Sequence, residues 1–291
     1  MSWLVFHIVS GDAYFSGLLL VIAGHAVLSL RRTRSVQRSG RLLLLIGWIL
    51  AGAGLIPGNT LFLLAALAAS VWSIIASLLT GRVSQPVPGP GSDTRNRFTS
   101  LVSIPLVVLL IGTELSGRQA IERWRSGEAI HVIGDSLSAG VGGGEGPPWP
   151  HLLGTQLDAD VHNHAQAGAT ARSANEQTSE LPAASLVIVE IGGNDLLGGR
   201  SAQQFHEDLD ALLSEACADD RRVVMFELPL PPFFFRYGKV QRSLAQEHKV
   251  RLIPRRLLAD VLFSDAATLD SIHLSESGHQ KLAERVADLL R

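Results

Sequence analysis

The stretch Ile130-His131-Val132-Ile133-Gly134-Asp135-Ser136-Leu137-Ser138-Ala139-Gly140 decides the fold of the second half of this chain. A short, mostly apolar run with β-branched residues ends abruptly at Gly134-Asp135-Ser136-Leu137. Such a run, bounded by a turn signal, predicts a buried strand that delivers Ser136 to the carboxyl edge of a sheet. A serine hydroxyl there acts as a nucleophile only if the chain also supplies a base and donors for an oxyanion.

From Glu128 onward, short apolar strands alternate with amphipathic helices. The predicted strands lie near residues 129–133, 160–163, 185–191, 222–228 and 250–253. The predicted helices lie near residues 149–157, 172–180, 202–218, 237–248 and 275–290. This alternation predicts an α/β fold with a parallel sheet covered by helices on both faces. The active site of such a sheet lies outside the carboxyl ends of its strands.

A base is available in Asp270-Ser271-Ile272-His273, just before the last predicted helix. Two residues between the acid and the imidazole allow one tight turn to bring them together. Asp270 can then accept the Nδ1 proton of His273 and leave Nε2 facing Ser136. This is the arrangement of orienting acid, base and nucleophile in a serine triad.

Donors for an oxyanion follow two other predicted strands. Ile191-Gly192-Gly193-Asn194-Asp195 offers the side-chain amide of Asn194, and Asn163–Thr170 contains Gly168 with an unobstructed backbone N–H. The backbone N–H of Ser136 would be the third donor. We therefore expect Ser136, Gly168 and Asn194 to form an oxyanion hole, since such donors stabilise the charge of a tetrahedral intermediate.

The order of these blocks resembles that of the SGNH or GDSL hydrolases. Their defining Ser, Gly, Asn and His are matched by Ser136, Gly168, Asn194 and His273, with Asp270 in the Asp-x-x-His block. The resemblance covers about residues 128–290. It is strongest to the branch that contains arylesterases, lysophospholipase L1 and acyl-CoA thioesterase I. It implies a flavodoxin-like three-layer α/β/α sandwich that needs no metal or cofactor.

The first 115 residues have a different composition. They contain eight Arg, no Lys and three acidic residues, a formal charge of +5, whereas the remainder carries −7. The Arg residues lie between apolar runs and not in a patch with aromatic residues, which argues against nucleic-acid binding. The predicted division is an anchor at residues 1–115, a linker at 116–127 and a hydrolase domain at 128–291.

Four apolar runs in the anchor predict transmembrane helices. They lie near residues 13–30, 42–56, 61–79 and 100–115. A membrane-crossing helix needs about 20 apolar residues, so the second and fourth runs must use flanking residues or a thinner bilayer. Pro57-Gly58-Asn59 predicts a turn that makes residues 42–79 a helical hairpin. The Pro- and Gly-containing segment 81–97 is predicted to be a linker on the inner side of the membrane that need not fold.

The Arg residues predict the orientation of this anchor. They cluster between the first and second runs, and again between the third and fourth. Positively charged loops stay in the cytoplasm, so four crossings would place the hydrolase domain on the outer face of the membrane. Three alternatives remain: a cleaved signal peptide at residues 1–30, a buried all-α soluble domain, and an odd number of crossings.

Several other residues have structural interpretations. Asp135 and Asp195 are expected to support their turns through hydrogen bonds. His162 and His164 alternate on one strand and suggest a metal site only weakly, because no acid has ligand spacing. Loops 141–148 and 228–235 can shape a pocket, although Phe233, Phe234 and Phe235 could equally pack beneath the last helices.

The sequence thus predicts a membrane-anchored serine esterase, with the lipid bilayer and an ester as partners and with no cofactor, metal or nucleic acid. Lipid-type acyl esters are favoured. The alternatives are deacetylation of O-acylated cell-wall sugars, a thioesterase if the domain is cytoplasmic, and a non-catalytic membrane scaffold.

Overall fold

The chain folds into two compact units, which are described separately. In a computed structural model, the described residues are 3–29, 34–54, 60–80, 90–116, 121, 123–143, 145–231, 234–270 and 272–291. A helical unit comprises residues 11–117, and an α/β unit comprises residues 1–10 and 118–291. The sequence predicts one anchor region over residues 1–115, whereas residues 3–10 belong to the α/β unit.

A five-stranded parallel sheet forms the centre of the α/β unit. The strands are β1 (Ile130–Gly134), β2 (Val161–Asn163), β3 (Leu186–Glu190), β4 (Arg222–Phe226) and β5 (Arg251–Ile253). Their order is β2-β1-β3-β4-β5, and every pairing is parallel. This is the flavodoxin-like order, with its switch point between β1 and β3. The prediction of a parallel α/β fold is confirmed.

Helices cover both faces of the sheet. The helices of this unit are α1 (Trp3–Val9), α6 (Ser136–Ala139), α7 (Trp149–Leu157), α8 (Ala171–Ala174), α9 (Gly193–Leu197), α10 (Ala202–Ala216), α11 (Phe235–Glu247), α12 (Arg255–Leu262) and α13 (Glu276–Leu290). The helix predicted at 172–180 is instead α8 followed by a 3-10 turn, Asn175–Thr178. Helix α12 was not predicted, and α1 contacts it through an edge-on pair of Phe6 and Phe263.

The core of the α/β unit lies between the sheet and the layer of α7, α12 and α13. Alternate strand residues such as Val132, Ile188 and Phe226 pack there against Trp149 and Leu282. All five residues of β1 and of β3 are buried, as expected of central strands covered on both faces. Burial on both faces fixes the register of these strands, and so fixes where each polar residue leaves the sheet.

The helical unit contains α2 (Asp12–Ser29), α3 (Arg34–Gly54), α4 (Thr60–Thr80) and α5 (Pro90–Ser116). One helix therefore covers each of the four apolar runs. The turn predicted at Pro57–Asn59 lies outside the described residues. Within the predicted linker over 81–97, residues 90–97 form the first turns of α5, and the remainder lies outside the described residues.

Only one helix among the described residues is long and apolar enough to cross a membrane. It is α2, and the apolar segments Leu63–Ile75 and Leu101–Gly112 are shorter than a crossing requires. Helix α3 begins at Arg34 and also carries Arg38 and Arg41, which shortens its apolar part. A buried core helix or a signal sequence has the same length and composition as α2. The structure therefore does not support the predicted four-span region.

Candidate active site

Ser136 lies at the switch point of the sheet, directly after β1. Asp135 caps the one-turn helix α6, because its Oδ1 accepts the backbone N–H of Leu137 at 3.0 Å. The turn is close-packed: a Cβ on Gly134 would lie 2.7 Å from the Ser138 hydroxyl oxygen. Ser136 is 9% exposed. The expected supporting role of Asp135 is thus visible in the structure.

The side-chain amide of Asn194 joins three loops at the carboxyl edge of the sheet. Asn194 lies at the beginning of α9, after Gly192, whose φ of 113° is in the region that favours glycine. Its Nδ2 donates to Asp135 Oδ2 at 3.2 Å and to the carbonyl oxygen of Ala169 at 3.0 Å. Asn194 therefore holds the neighbour of Ser136 and the neighbour of Gly168 together.

Gly168 and Asp195 complete this arrangement. Gly168 has a φ of 79° in the loop after β2, and a side chain there would be strained by the backbone conformation alone. Asp195 is fully buried and accepts the backbone N–H of Ala171 at 2.9 Å, which fixes the beginning of α8. Burial raises the pKa of Asp195. The expected supporting role of Asp195 is therefore also seen.

Asp270 and His273 form a direct pair in the loop before α13. His273 Nδ1 lies 2.8 Å from Asp270 Oδ2, while Asp270 Oδ1 accepts the backbone N–H groups of Ile272 and His273 at 3.1 and 2.9 Å. These bonds, first that from the His273 backbone, lower the pKa of Asp270 to about 2. An ionised Asp270 fixes the Nδ1–H tautomer of His273, which leaves Nε2 as the basic nitrogen.

Burial raises the pKa of Asp135, and the nearby His273 opposes part of that rise. Hydrogen bonds thus connect three of the predicted blocks at one edge, Ser136 and Asn194 through Asp135 and Gly168 through Ala169, and the Asp270–His273 pair lies within electrostatic range of Asp135.

A buried polar network lies beneath Ser136 and was not predicted from the sequence. Glu190, the last residue of β3, accepts a hydrogen bond from the Ser138 hydroxyl at 3.0 Å, and that hydroxyl accepts the Trp149 indole N–H at 3.1 Å. A signal was present in the sequence, because Glu190 is the single charged residue in an otherwise apolar strand. A buried acid in such a strand requires a polar partner.

The loop after α6 is organised by a second buried acid. Glu145 Oε1 accepts the backbone N–H groups of Val141 and Gly142, and its Oε2 lies 3.9 Å from Nε2 of His279 on α13. His279 Nδ1 in turn accepts the backbone N–H of Trp149 at 3.2 Å. Burial lowers the pKa of His279. Glu145 and His279 therefore hold the loop that follows Ser136.

His162 and His164 lie beside His131, and the three rings stack. The ring of His131 is 4.7 Å from that of His162 and 5.2 Å from that of His164, with interplanar angles of 13° and 16°. Parallel rings do not direct three nitrogen lone pairs at one point, as a metal centre requires. No group of three or more His, Cys, Asp or Glu able to hold a metal occurs among the described residues.

Comparison with known proteins agrees with this geometry. Residues 132–281, about half of the chain, match the GDSL-like lipase/acylhydrolase family, and this stretch contains all five candidate residues. The chain belongs to the GDSL-like lipase/acylhydrolase family. Family membership, with esterase-named relatives, identifies it as an ester-hydrolysing serine hydrolase.

Individual relatives resemble the α/β unit over most of their own length. Esterase TesA of Pseudomonas aeruginosa is 27% identical over 179 residues, which cover 56% of this chain and 88% of that protein. Thioesterase 1/protease 1/lysophospholipase L1 of Escherichia coli K12 is 28% identical over 182 residues, covering 58% and 86%. A crystal structure of TesA aligns with a TM-score of 0.50 at 27% identity, covering 56% of this chain and 98% of that one. The family match begins at residue 132, beyond the helical unit.

Proposed function

We propose that the protein is a membrane-attached serine esterase that hydrolyses carboxylic esters through an acyl-enzyme on Ser136, with lipid-type acyl esters as the favoured substrates. The observation that carries the catalytic proposal is the double hydrogen bond of Asn194. It holds the loops of Ser136 and Gly168 together at the carboxyl edge of the sheet, and the Asp270–His273 pair offers a base with its orienting acid.

The proposed reaction has two halves. His273 Nε2 takes the hydroxyl proton of Ser136 while Oγ bonds to the ester carbonyl carbon, and the same proton then passes to the alcohol that leaves. Water next attacks the acyl-enzyme with His273 as base, which releases the acid and restores the Ser136 hydroxyl. Backbone N–H groups of Ser136 and Gly168 hold the oxyanion in both halves, and the Asn194 amide joins them when one of its two N–H groups turns from Asp135 or Ala169 to the oxyanion. Asp270 keeps His273 in the required tautomer.

An apolar rim supports a lipid-type substrate. Large hydrophobic side chains are exposed on segments that follow β1, β3 and β4 and on the loop before α13. They are Val141, Leu197, Phe234, Phe235, Leu269 and Ile272. Phe234 and Phe235 are 44% and 42% exposed, whereas Phe233 lies outside the described residues. Since parallel strands share one carboxyl edge, these segments lie on the side of the sheet that carries the candidate site, and an apolar surface there suits an acyl chain.

A substrate series tests this function. The full-length protein in detergent is assayed with p-nitrophenyl esters from acetyl to palmitoyl and with the matching acyl-CoA thioesters. We expect Ser136→Ala to lower kcat by about 1,000-fold or more, and Ser214→Ala, an exposed serine on α10, to leave kcat unchanged. A Ser136→Ala variant as fast as the parent would refute the assignment of the nucleophile.

The same series separates the substrate classes. A rise in kcat/KM with acyl length supports lipid-type esters. A preference restricted to acetyl esters supports deacetylation of O-acylated sugars, and preference for acyl-CoA supports a thioesterase, an activity that the name of the Escherichia coli relative includes. Absence of both hydrolysis and fluorophosphonate labelling at Ser136 supports a non-catalytic scaffold.

Two features of the helical unit support membrane attachment. Its surface exposes many large hydrophobic side chains, among them Leu19, Leu45, Ile49, Leu64, Trp72, Leu101 and Val108. Soluble proteins rarely expose so much contiguous apolar surface. Inside the unit, His25 Nε2 lies 3.0 Å from the Ser70 hydroxyl, a buried bond between helices of the kind that joins membrane helices.

The charge pattern supports an outward α/β unit, reached after an even number of crossings. A carboxyl-terminal alkaline phosphatase fusion should be active, and a fluorescent-protein fusion at the same point should be dark. Fluorescence without phosphatase activity would place the site in the cytoplasm and favour the thioesterase alternative. Recovery of the unfused protein in the soluble fraction after cell lysis would contradict membrane attachment itself.

A further inference from the structure

The buried network beneath Ser136 contains two carboxyl groups in contact. Glu190 pairs with Gly134 across β3 and β1, so it lies next to the turn that carries Asp135. A side-chain hydrogen bond joins the two carboxyls. Glu190 is 1% exposed and Asp135 is 4% exposed. Within the described part of the chain, neither forms an ion pair with Lys or Arg.

Two buried carboxyls in contact hold one proton between them, since two negative charges at this distance repel strongly. The remaining contacts decide which group keeps it. Asp135 accepts N–H groups from Leu137 and Asn194 and lies near His273, all of which favour its anion. Glu190 is the more deeply buried of the two. Its hydrogen bond to Asp135 therefore has Glu190 as the donor.

We propose that Glu190 is a positioning residue: its neutral carboxylic acid donates a hydrogen bond to Asp135 and thereby holds Asp135 where it orients the Asn194 amide for the oxyanion. This inference rests on the proposed function of Asn194. Glu190 does not touch the substrate. It acts through Asp135, whose Oδ2 accepts the Asn194 amide and whose Oδ1 fixes the beginning of α6.

Ser138 and Trp149 define the other side of Glu190. The Ser138 hydroxyl donates to Glu190 Oε2 and receives the Trp149 indole N–H, so Oε2 is occupied as an acceptor. The proton of Glu190 is therefore directed from the other oxygen toward Asp135. Burial raises the pKa of Glu190 well above its ordinary value, and the adjacent Asp135 charge raises it further.

Ionisation of Glu190 would break this arrangement. The charged groups that face the pair are His273 from the loop before α13 and Asp195 from α9, and their effects on the Asp135 pKa oppose each other. Neither supplies a cation in contact with Glu190. Loss of the Glu190 proton would therefore push Asp135 away and release Asn194, so kcat should fall on the alkaline side.

The test compares Glu190→Gln, Glu190→Ala and Asn194→Ala in the full-length protein. Gln keeps a donor toward Asp135 and an acceptor toward Ser138 but has no proton to lose. We expect Glu190→Gln to keep kcat at pH 7 within about threefold of the parent and to move the alkaline fall to higher pH. We expect Glu190→Ala to lower kcat about tenfold or more with little change in KM, and Asn194→Ala to lower it about 100-fold or more.

Coupling shows whether Glu190 acts through Asn194. The double variant Glu190→Ala/Asn194→Ala should be no slower than Asn194→Ala alone within about threefold, whereas independent effects would multiply. Glu227→Gln is the matched control, because Glu227 is a buried acid after β4 that is paired with Arg242 at 2.6 Å. It should leave the alkaline fall in place.

Three results would overturn the proposal: an alkaline fall unchanged in Glu190→Gln, a Glu190→Gln variant as slow as Glu190→Ala, or multiplicative effects in the double variant. The proposed function has a separate test in Ser136→Ala. If Ser136→Ala abolishes hydrolysis and Asn194→Ala impairs it while Glu190→Ala does not, only the positioning inference fails.

Discussion

At the scale of single residues, the α/β unit contains two exposed Asp–His pairs with different surroundings. Asp160 and His162 lie 3.0 Å apart at β2, an edge strand, and Asp270 and His273 lie 2.8 Å apart in the loop before α13. Asp270 alone also accepts two backbone N–H groups, which keep it ionised and fixed in orientation. In the sequence, one residue separates Asp160 from His162 and two separate Asp270 from His273. In the structure, the backbone N–H groups that Asp270 accepts distinguish the second pair.

Replacing Asp270 by Asn should lower kcat by about 100-fold or more, because an amide in that place favours the wrong imidazole tautomer. Initial rates of ester hydrolysis at pH 7 measure the effect. Since the pKa of Asp270 is about 2, its carboxylate stays ionised at any higher pH, and loss of activity in mild acid does not arise from it. Asp160→Asn is the matched control, and equal losses in the two variants would contradict the assigned role.

At the scale of elements, the helical unit is organised by close contact between α2 and α3. A Cβ on Gly17 would lie 2.4 Å from the backbone nitrogen of Ala51, and a Cβ on Gly47 would lie 2.7 Å from the carbonyl oxygen of Gly17. Backbones approach this closely only where side chains are absent, a feature common in helix pairs within membranes. Gly17 and Gly47 are therefore required because they lack a side chain, and not because of an unusual backbone conformation.

Gly47→Leu should destabilise this helix pair by about 1–3 kcal/mol or more, because the new side chain must displace the α2 backbone. Gly52→Leu on the same helix should have little effect, since a Cβ at Gly52 has nothing within 4 Å. Thermal unfolding of the detergent-solubilised variants, followed by circular dichroism, measures the difference. Equal melting temperatures would show that α2 and α3 do not pack in this way.

At the scale of the whole molecule, buried titratable groups couple stability to pH. His131 is 4% exposed, and burial, aided by His162 and His164, lowers its pKa from 6.5 to about 4. The unfolded chain therefore takes up this proton at a higher pH than the folded chain. The contribution of neutral His131 to stability is fully present above pH 6.5 and is lost as the pH falls toward 4.

The free energy of unfolding should therefore decrease between pH 6.5 and 4, and less steeply in His131→Gln. The difference in slope should approach, but not exceed, about 1.4 kcal/mol per pH unit, the limit for one proton. Urea unfolding at a series of pH values, followed by tryptophan fluorescence, measures it. His151→Gln, an exposed histidine on α7, is the control. Parallel curves for parent and His131→Gln would contradict the linkage.

The local pattern of the sequence was sufficient for the α/β fold. Five short runs, separated by amphipathic helices, match the observed strands within about two residues. In β1 and β3, burial on both faces imposes a continuous apolar run. The pattern also placed Ser136, Gly168 and Asn194 after three strands, and parallel strands share one carboxyl edge. It did not predict α12, which is only 8 residues long, or the polar helical start of α5 at residues 90–97.

Contacts between distant segments were decided only by the tertiary structure. The pairing of Gly134 with Glu190, 56 positions later, places two acids together, and nothing in either segment alone encodes that register. The same holds for the bond of Asn194 to Ala169 and for the layer of Trp149 and Ser138 beneath Glu190. The spacing of apolar residues along the chain indicates which residues are buried. The partner of a buried polar group depends instead on strand register and side-chain rotamers. The sequence by itself therefore determined the sheet and the candidate residues at its edge, and the fold decided which buried polar groups meet beneath them.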